Sequence, residues 1–554
     1  MEKIWLKNYQ SGVPATIEDQ MEKYNSIPEL LEESFKNFPD KPAFHCMGKS
    51  LTYREVDRQS QKFASYLQND LGLKKGDRVA LMMPNILQYP IALFGVLRAG
   101  MVVVNVNPLY TPRELEHQLK DSGALAIVIF ENAAHTLEHV LAHTDVKFVL
   151  VTSIGDMLSF PKSLIVNFVI KRIKKMVPAW SIPNAVGFVS AMNTGDEKKF
   201  SKPGITKEDI AFLQYTGGTT GVAKGAILLH KNIIANICQA RAWLAPQIVS
   251  GEEVVITPLP LYHIFSLTVS CIFATVGGEN VLITNPRDMA GFIKELKNWK
   301  FTVITGVNTL FNGLLNHPDF ASVDFSSARI CLGGGMAVQK AVADKWKKVT
   351  GKTLIEAYGL TETSPAACVN PLNIKEYNGF IGLPISSTEV VIKDDLEKTL
   401  AIGEIGEICI KGPQVMKGYW KRDDETAKVM TADGYIKTGD VGIMDNEGFV
   451  KIVDRKKDMI LVSGFNVYPN EIEDVVSQNP KVFEVAAIGV PDDKTTEAIK
   501  LFIVKKDPTL TVEEIIAFCR ENLTNYKIPR HVEFRTELPK TNVGKILRKD
   551  LRGQ

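Results

Sequence analysis

The sequence predicts an α/β protein with a large N-terminal domain of layered α/β subdomains and a small, mobile α+β C-terminal domain. The chain has 554 residues, enough for roughly three to four structural units of ordinary size. Apolar strands alternate with amphipathic helices between residues 74 and 130, which is typical of a parallel sheet. A charged cluster at residues 454–458 separates this region from a stretch with mixed strand and helix patterns.

The first α/β layer has clear start and stop signals. The predicted elements are, in order, a strand at residues 78–83, a helix at 85–98, a strand at 101–106, a helix starting at Pro112 and a strand at 125–130. Thr111 and Glu114 have the spacing of a capping box around Pro112, and Gly123 ends that helix. Strands joined by helices in this way are expected to lie parallel in one sheet.

A basic segment follows at residues 157–195, which contain no Asp or Glu. Basic side chains flank an apolar run at residues 164–170; they are Lys162, Lys171, Arg172, Lys174 and Lys175. Two interpretations stay open. The segment lies on an anionic membrane surface, or it is a basic helix that packs on the protein's own core and leaves a solvated positive face.

The last part of the chain has the pattern of a separate α+β domain. Strand-like runs at residues 459–462, 485–490 and 501–504 alternate with helix-like runs at 470–478 and 512–523. We therefore divide the chain into an N-terminal domain at residues 1–453, a hinge at 454–458 and a mobile C-terminal domain at 459–554.

The composition excludes several classes of protein. With 45% hydrophobic residues, 23% charged residues and a net charge of +2, disordered, collagen-like and membrane-embedded chains are excluded. Nucleic-acid binding finds no support in this charge without an arginine–aromatic array. The seven cysteines form no CxxC pair and stand mostly in apolar runs, as expected of buried reduced thiols. The N-terminus lacks the apolar run of a signal peptide, so a cytoplasmic location is expected.

A glycine-rich loop gives the strongest local indication of function. After a strand-like run at residues 209–214 the sequence reads Tyr215, Thr216, Gly217, Gly218, Thr219, Thr220, Gly221, Val222, Ala223, Lys224 and Gly225. Glycines let backbone N–H groups converge on a phosphate, and threonine hydroxyls add uncharged donors. The loop predicts a phosphate site, with a flexible hairpin loop as the alternative. It is not a P-loop, because no Gly-Lys-Ser/Thr follows at the required spacing.

This string resembles the nucleotide-binding signature of the adenylate-forming superfamily, which includes acyl-CoA synthetases, firefly luciferases and the adenylation domains of peptide synthetases. One departure is Ala223, where the superfamily usually has proline. Further motifs of that family follow in order; their matching residues are Gly334, Gly335, Tyr358, Gly359, Thr361 and Glu362. The resemblance implies that Tyr358 stacks on the adenine, Thr361 reaches the α-phosphate and Glu362 holds Mg²⁺, a cation that prefers oxygen ligands.

Three more positions match residues with roles in that family. Asp440 matches the ribose-binding aspartate, whose carboxylate accepts hydrogen bonds from both ribose hydroxyls, and Arg455 matches an arginine that helps to hold the nucleotide. Lys545, in a glycine-flanked motif near the C-terminus, matches the catalytic lysine. Tyr435 and Lys437 stand where a tryptophan and a histidine are usual, and these departures concern binding of the acyl chain.

Over nearly the whole chain the resemblance is strongest to the bacterial long-chain fatty acid–CoA ligases. It implies a fatty acid pocket whose wall contains His263, Phe265, Gly306 and Val307. His263 has a second interpretation as a hydrogen-bonded core histidine. The resemblance also implies a pivot at Lys457 and a coenzyme A contact at Ser463, Gly464 and Phe465.

The implied activity is ATP-dependent conversion of a long-chain fatty acid to acyl-CoA through acyl-AMP, with release of AMP and pyrophosphate, feeding fatty acid β-oxidation. ATP, coenzyme A and the fatty acid are the implied substrates, and Mg²⁺ is the implied cofactor. One alternative is a fatty acyl-AMP ligase that loads a carrier protein, although the insertion usual in that class is not seen. Another is a catalytically silent acyl- or nucleotide-binding protein. Peripheral contact with the inner face of the cytoplasmic membrane and a homodimer are both compatible with the sequence.

Overall fold

The strands follow the short apolar runs of the sequence. The computed structural model describes residues 2–216, 223–492, 495–541 and 543–552. In chain order the strands are β1 (Pro42–Cys46), β2 (Lys49–Thr52), β3 (Arg78–Met82), β4 (Val102–Asn105), β5 (Ala126–Phe130), β6 (Phe148–Thr152), β7 (Val186–Gly187), β8 (Ile210–Thr216), β9 (Lys224–Leu229), β10 (Val254–Thr257), β11 (Glu279–Leu282), β12 (Val303–Gly306), β13 (Ile330–Gly334), β14 (Leu354–Gly359), β15 (Ala366–Val369), β16 (Leu383–Pro384), β17 (Glu389–Lys393), β18 (Gly406–Lys411), β19 (Gly418–Tyr419), β20 (Ile436–Met444), β21 (Val450–Arg455), β22 (Ile460–Val462), β23 (Phe465–Val467), β24 (Val482–Asp492), β25 (Thr496–Lys505) and β26 (His531–Arg535).

Amphipathic helices cover these strands. In chain order they are α1 (Glu18–Met21), α2 (Ile27–Asn37), α3 (Tyr53–Ser65), α4 (Gln88–Arg98), α5 (Pro112–Ser122), α6 (Ala134–Glu138), α7 (Lys162–Phe168), α8 (Phe188–Thr194), α9 (His230–Leu244), α10 (Ile264–Ala274), α11 (Met289–Leu296), α12 (Asn308–Asn316), α13 (Lys340–Thr350), α14 (Asp423–Val429), α15 (Pro469–Ser477), α16 (Val512–Asn522) and α17 (Arg548–Arg552). The predicted α/β class, with a large N-terminal domain and a smaller C-terminal domain, is confirmed.

Two large sheets form most of the N-terminal domain. One runs in the order β19-β9-β8-β4-β3-β5-β6-β7 and the other β16-β15-β14-β13-β12-β10-β11-β1-β2. In the first, β3 pairs in parallel with β4 and β5, as the sequence predicts. In the second, β12, β13 and β14 are parallel neighbours. Their carboxyl ends, and the glycines that terminate them, therefore lie at one edge of the sheet.

The structure contains the strands and helices that the sequence predicts for the first α/β layer. The Thr111–Glu114 capping box is present, and Gly123 ends α5 in the left-handed conformation with φ of 62°. The predicted helix at residues 85–98 starts later, at Gln88. Asn85 is instead tied to the loop after β10, since its side chain accepts a hydrogen bond from the backbone of Leu261 and donates to Leu259.

The C-terminal domain has its own sheet, in the order β23-β22-β25-β24 with β26 beside β25. It lies over the carboxyl end of β12. Thr309 Oγ1 donates to the backbone oxygen of Gly544 at 2.8 Å, and Asn312 donates to that of Phe483 at 2.9 Å. Strand β21 already contains Asp454 and Arg455, so the segment that connects the last strand of the N-terminal domain to β22 begins at residue 456.

The basic segment does not bury its apolar run in the protein core. Large apolar side chains are exposed along and beside α7; they are Phe160, Leu164, Ile165, Phe168, Ile173 and Met176. No helix in the described ranges has the length and apolar character needed to cross a bilayer. All seven cysteines are buried free thiols, as predicted.

Candidate active site

A cavity of about 1410 Å³ lies between the carboxyl ends of β8 and β12–β14 and the loop before α17. The loops after parallel strands collect residues that are distant in sequence, which is why ligands bind at such edges. The predicted residues that line this cavity are Tyr215, Thr216, His263, Phe265, Val307, Gly334, Gly335, Tyr358, Gly359, Thr361, Glu362, Asp440, Arg455, Lys457 and Lys545. Gly306 ends β12 between two lining residues, Thr305 and Val307.

Tyr358, Asp440 and Arg455 form a connected group on one wall. The Tyr358 hydroxyl donates to Asp440 Oδ2 at 2.6 Å, and Arg455 Nε lies 3.1 Å from Asp440 Oδ1. Burial, followed by the negative charge of Asp440, raises the pKa of Tyr358 well above its usual value. The phenol therefore stays a hydrogen-bond donor. Each Asp440 oxygen keeps a lone pair for a ligand hydroxyl.

Gly359 is required by close packing at the end of β14. A Cβ atom at this position would lie 1.8 Å from the backbone oxygen of Pro365, so no side chain fits. Gly335 has φ of +78°, a conformation that favours glycine. Gly359 therefore permits close packing, and Gly335 permits a left-handed backbone conformation, beside the cavity wall.

Glu356 is a buried carboxyl group that the sequence analysis did not single out. It lines the cavity and is 4% exposed. Its oxygens accept hydrogen bonds from the Val338 backbone and the Tyr377 hydroxyl, both at 3.1 Å. Burial raises its pKa to about 7. Glu356 and Tyr358 are two residues apart on β14, so their side chains lie on the same face of the sheet.

The glycine-rich loop is only partly within the described residues. Gly217, Gly218, Thr219, Thr220 and Gly221 lie outside them. Of the flanking residues, Thr216 lines the cavity and the Tyr215 hydroxyl donates to Asp121 at 2.5 Å.

The structure does not bring Lys224 into the cavity. This residue forms an ion pair with Glu425, and its ammonium lies 5.2 Å from the ring centroid of Tyr419. Among the described residues Lys224 is connected to the site through Tyr419, whose hydroxyl donates to Glu362 Oε1 at 2.7 Å. The sequence could not reveal this arrangement, since Lys224 and Glu425 are 201 positions apart.

Glu362 has the properties of a ligand for a hard cation. One carboxylate oxygen accepts the Tyr419 hydroxyl, and the residue lines the cavity, which leaves an oxygen for a cation. Among the described residues, no group of three or more His, Cys, Asp or Glu side chains is placed to hold a metal ion by itself. A single carboxylate fits Mg²⁺ that is held mainly by substrate phosphates and water.

Lys545 extends from the C-terminal domain into the cavity beside Asp440 and Arg455. Burial, followed by the positive charge of Arg455, lowers its pKa to about 7. Within the described ranges no carboxylate lies within 4 Å of its Nζ atom. The ammonium is therefore available to an anionic ligand.

His263 is a neutral histidine at the start of α10. Its Nδ1 accepts a hydrogen bond from the Phe265 backbone at 3.3 Å, so the ring proton is on Nε2. Burial, followed by the positive charge of Lys545, lowers the pKa of His263 to about 4. His263 thus combines both sequence interpretations, because it is hydrogen-bonded within the fold and also lines the cavity.

One arm of the cavity is apolar. Its wall is built by α9, α10 and the strands below them, and includes Trp243, Leu244, Ile272, Phe273, Val303, Ile330, Leu332, Val369 and Ile381. The cavity is therefore divided into a polar end, near Asp440 and Lys545, and an apolar end. An amphiphilic ligand with an acidic head group fits this division.

Ser463, Gly464 and Phe465 do not line the cavity. They form an exposed turn between β22 and β23, in which Ser463 has φ of 51° and Gly464 has φ of 83°. Phe465 stacks on Tyr526 with ring centroids 4.7 Å apart. The turn meets the cavity only if the C-terminal domain changes its orientation.

Comparison with known proteins identifies close relatives over the whole chain. The AMP-binding enzyme family matches residues 31–420, and the AMP-binding enzyme C-terminal domain matches residues 471–545. The long-chain-fatty-acid–CoA ligase of Salmonella typhimurium is 58% identical over 555 residues, which cover 100% of this chain and 98% of that protein. The ligase of the same description from Bacillus subtilis is 40% identical over 553 residues, which cover 99% and 98%.

Solved structures share the fold. A crystal structure of an anthranilate CoA ligase in complex with anthranoyl-AMP has a TM-score of 0.84 and 25% identity, and covers 96% of this chain and 97% of that one. ATP-bound MatB from Rhodopseudomonas palustris has a TM-score of 0.83 and 26% identity, and covers 96% and 99%.

Proposed function

The chain belongs to the AMP-binding enzyme family and, within it, to the long-chain fatty acid–CoA ligases, and we propose the role that each residue of the site has in the ligase reaction. These ligases form acyl-CoA at the expense of ATP through an acyl adenylate. The observation that carries the proposal is the convergence of Glu362, Asp440 and Lys545, from three distant parts of the chain, on one cavity with an apolar arm.

In the first step a fatty carboxylate oxygen attacks the α-phosphorus of ATP, and the bond to pyrophosphate breaks. Both reactants are anions, so positive charge must be present where negative charge concentrates during transfer. Lys545 supplies an ammonium that no carboxylate of the described residues pairs with, and Thr216 and Thr361 add hydroxyl donors at the same end of the cavity. The loop at residues 217–221 completes the phosphate site in this proposal.

Magnesium is assigned to Glu362, whose carboxylate retains a free oxygen beside Tyr419. When bound, the ion neutralises phosphate charge. The role of the chain is to hold that carboxylate in place, since Tyr419 is itself fixed in β19 against β9.

The nucleotide is held by the group around Tyr358. Asp440 accepts the ribose hydroxyls, Arg455 fixes the Asp440 carboxylate, and the Tyr358 ring packs on the adenine. Glu356 presents its carboxyl group on the same face of β14 as Tyr358, and an oxygen of this group is suited to accept a hydrogen bond from the exocyclic amine of adenine. Gly334 and Gly335 leave room for the base beside the backbone.

The apolar arm takes the acyl chain. Each buried CH₂ contributes about 0.8 kcal/mol, so a long chain supplies most of its own affinity. His263 and Phe265 line the cavity at the start of α10, the helix that also forms part of the apolar wall, and we assign the neutral His263 Nε2–H as a donor to the carboxylate of the fatty acid.

In the second step the thiolate of coenzyme A attacks the acyl carbonyl and AMP leaves. Lys545 is no longer needed at the phosphate. We assign the pantetheine contact to the turn at Ser463, Gly464 and Phe465, which rotation about Lys457 brings to the cavity. Gly464 has open space around its Cα, so the pantetheine arm can pass close to the backbone.

This assignment is tested by incubating the enzyme with oleate, ATP and Mg²⁺, with and without coenzyme A. We expect pyrophosphate release and coenzyme A-dependent formation of oleoyl-CoA. Pyrophosphate and stable acyl-AMP without thioester would instead indicate a carrier-loading ligase. An enzyme that releases no pyrophosphate with any chain length would be a silent binding protein.

The lowered pKa of Lys545 predicts a pH dependence for the first step. Nζ is protonated below about pH 7 and loses its charge above it. Because kcat/KM reports groups of the free enzyme, kcat/KM for ATP in acyl-AMP formation is expected to fall as the pH rises above about 7. Lys545→Arg, which stays charged, is the control and should remove this descending limb. The same limb in that variant would assign the titration to another group.

We further propose that the basic segment binds an anionic lipid surface. Phe160, Leu164 and Phe168 expose 81%, 63% and 59% of their surfaces to solvent, a concentration of apolar side chains that is costly in water. Arg172, Lys174 and Lys175 are exposed beside them and form no ion pair within the described residues. The juxtaposition of apolar and basic side chains fits the interface of an anionic bilayer.

The prediction for this surface concerns liposome binding. Each basic side chain near an anionic surface contributes about 1 kcal/mol to binding. Replacing four basic residues of the segment by Gln should therefore weaken binding to phosphatidylglycerol-containing vesicles roughly a hundredfold or more at low salt. The four residues are Lys171, Arg172, Lys174 and Lys175. A matched control neutralises the exposed Lys294, Lys297, Lys300 and Lys375. Equal binding by both variants would exclude the segment.

A further inference from the structure

Arg548, three positions after Lys545, is partly buried and lies among carboxylates from both sides of the hinge. Its side chain is 14% exposed, and Nη1 lies 3.5 Å from Asp454 Oδ1 and 3.3 Å from Asp458 Oδ2. The same guanidinium makes two contacts with Glu473 of α15, at 3.0 Å and 2.7 Å. It thus fixes the start of α17, directly after the loop that carries Lys545.

Asp454 belongs to the N-terminal side of this cluster. It lies in β21, paired with Val441 of β20, and its side chain is fully buried. Besides Arg548, its carboxylate accepts a hydrogen bond from the backbone N–H of Asn470, at the start of α15, at 2.8 Å. Asp454 is therefore the N-terminal domain residue on which two elements of the C-terminal domain converge.

The other carboxylates move with Arg548. Asp458 and Glu473 follow Lys457 in the chain, so rotation about Lys457 carries them together with α17. The same rotation separates Arg548 and the start of α15 from Asp454. A buried charge that loses its partner is strongly destabilised unless water reaches it, so the contact with Asp454 favours the orientation seen here.

We propose that Arg548 is a positioning residue for the first half-reaction, in which its contact with Asp454 holds the C-terminal domain where Lys545 reaches the cavity. The inference rests on the proposed function of Lys545. The cluster adds no group to the reacting atoms. It changes the balance between the two domain orientations, and so should affect acyl-AMP formation and thioester formation differently.

The test measures the two half-reactions separately in the full-length enzyme. Acyl-AMP formation is followed in single turnovers with oleate and ATP, and thioester formation is started from synthetic oleoyl-AMP and coenzyme A. Asp454→Asn keeps the shape and an acceptor for Asn470 but removes the charge that Arg548 contacts. We expect acyl-AMP formation to fall roughly tenfold, the effect of losing one charged contact, while the rate from oleoyl-AMP is unchanged or raised.

A second variant and a control keep the outcome decisive. Arg548→Lys retains a positive charge but lacks the fork that joins Asp454 to Glu473, and should show the same split between half-reactions. Arg530→Gln removes an ion pair with Asp492 in the same domain and should change neither rate. Equal loss of both half-reactions in Asp454→Asn and Arg548→Lys, or no loss in either variant, would overturn the inference. Failure of the wild-type enzyme to form oleoyl-AMP would instead contradict the proposed function.

Discussion

Replacing Lys545 by alanine is expected to slow acyl-AMP formation by about a hundred- to a thousandfold, the usual cost of removing one group that stabilises charge in a transition state. Lys545 is a cation of the C-terminal domain that lines the cavity beside Asp440 and Arg455, and no carboxylate in the described residues lies within 4 Å of its ammonium. The rate is measured as oleoyl-AMP and pyrophosphate formed in single turnovers without coenzyme A.

The same variant provides its own control in the second half-reaction. Starting from synthetic oleoyl-AMP and coenzyme A, Lys545→Ala should form oleoyl-CoA at a rate close to that of the wild type, because the ammonium has no assigned role once pyrophosphate has left. A loss of similar size in both half-reactions would mean that Lys545 serves the fold of the domain rather than the first step.

Replacing Lys457 by proline is expected to have the opposite effect on the two half-reactions, slowing thioester formation and sparing acyl-AMP formation. Proline fixes φ near −65°, so the hinge can no longer reorient the domain that carries both Lys545 and the turn at Ser463 to Phe465. Acyl-AMP formation should stay within a few-fold of wild type, since the structure already places Lys545 in the cavity. Thioester formation from oleoyl-AMP should fall by roughly a hundredfold, measured as oleoyl-CoA produced.

The variant Lys457→Ala distinguishes the effect of restricting the backbone from the effect of losing the positive charge. It removes the ammonium, which also lines the cavity, but leaves φ free to change. If the alanine variant loses thioester formation as severely as the proline variant, the charge of Lys457 matters and the pivot assignment fails. Equal loss of both half-reactions in the proline variant would also contradict it.

Much of the fold could be predicted because its signals are local. The cap at Thr111 and the left-handed Gly123 depend on a few neighbouring residues, and these fixed both ends of α5. The start of α4 could not be predicted in the same way. Asn85 is held by Leu259 and Leu261, which are far away in sequence, so its exclusion from the helix is a tertiary effect.

The candidate site was predictable where a residue stands in a motif and not where its role depends on a distant partner. Tyr358, Glu362, Asp440 and Lys545 stand in recognisable strings, and the structure brings all of them to one cavity. Tyr419 and Glu356 stand in no such string. Their contacts with Glu362 and Val338 form only when separate strands and loops assemble.

The sequence alone does not decide whether the basic segment packs on the protein core or faces a membrane surface. Its charge and apolar run were compatible both with packing on the protein core and with a membrane surface. Only the exposure of Phe160, Leu164 and Phe168 in the folded chain disfavours packing on the core. The choice depends on whether neighbouring elements cover the helix, and no local pattern encodes that.

The most direct test of the central claim follows an oxygen atom through the whole reaction. Oleate labelled with ¹⁸O in both carboxylate oxygens is supplied with ATP, Mg²⁺ and coenzyme A, and the AMP is analysed by mass spectrometry. If the carboxylate attacks the α-phosphorus, one labelled oxygen leaves with AMP after thiolysis, and each AMP molecule should carry one ¹⁸O. Unlabelled AMP formed together with oleoyl-CoA would contradict an acyl-AMP intermediate in this cavity.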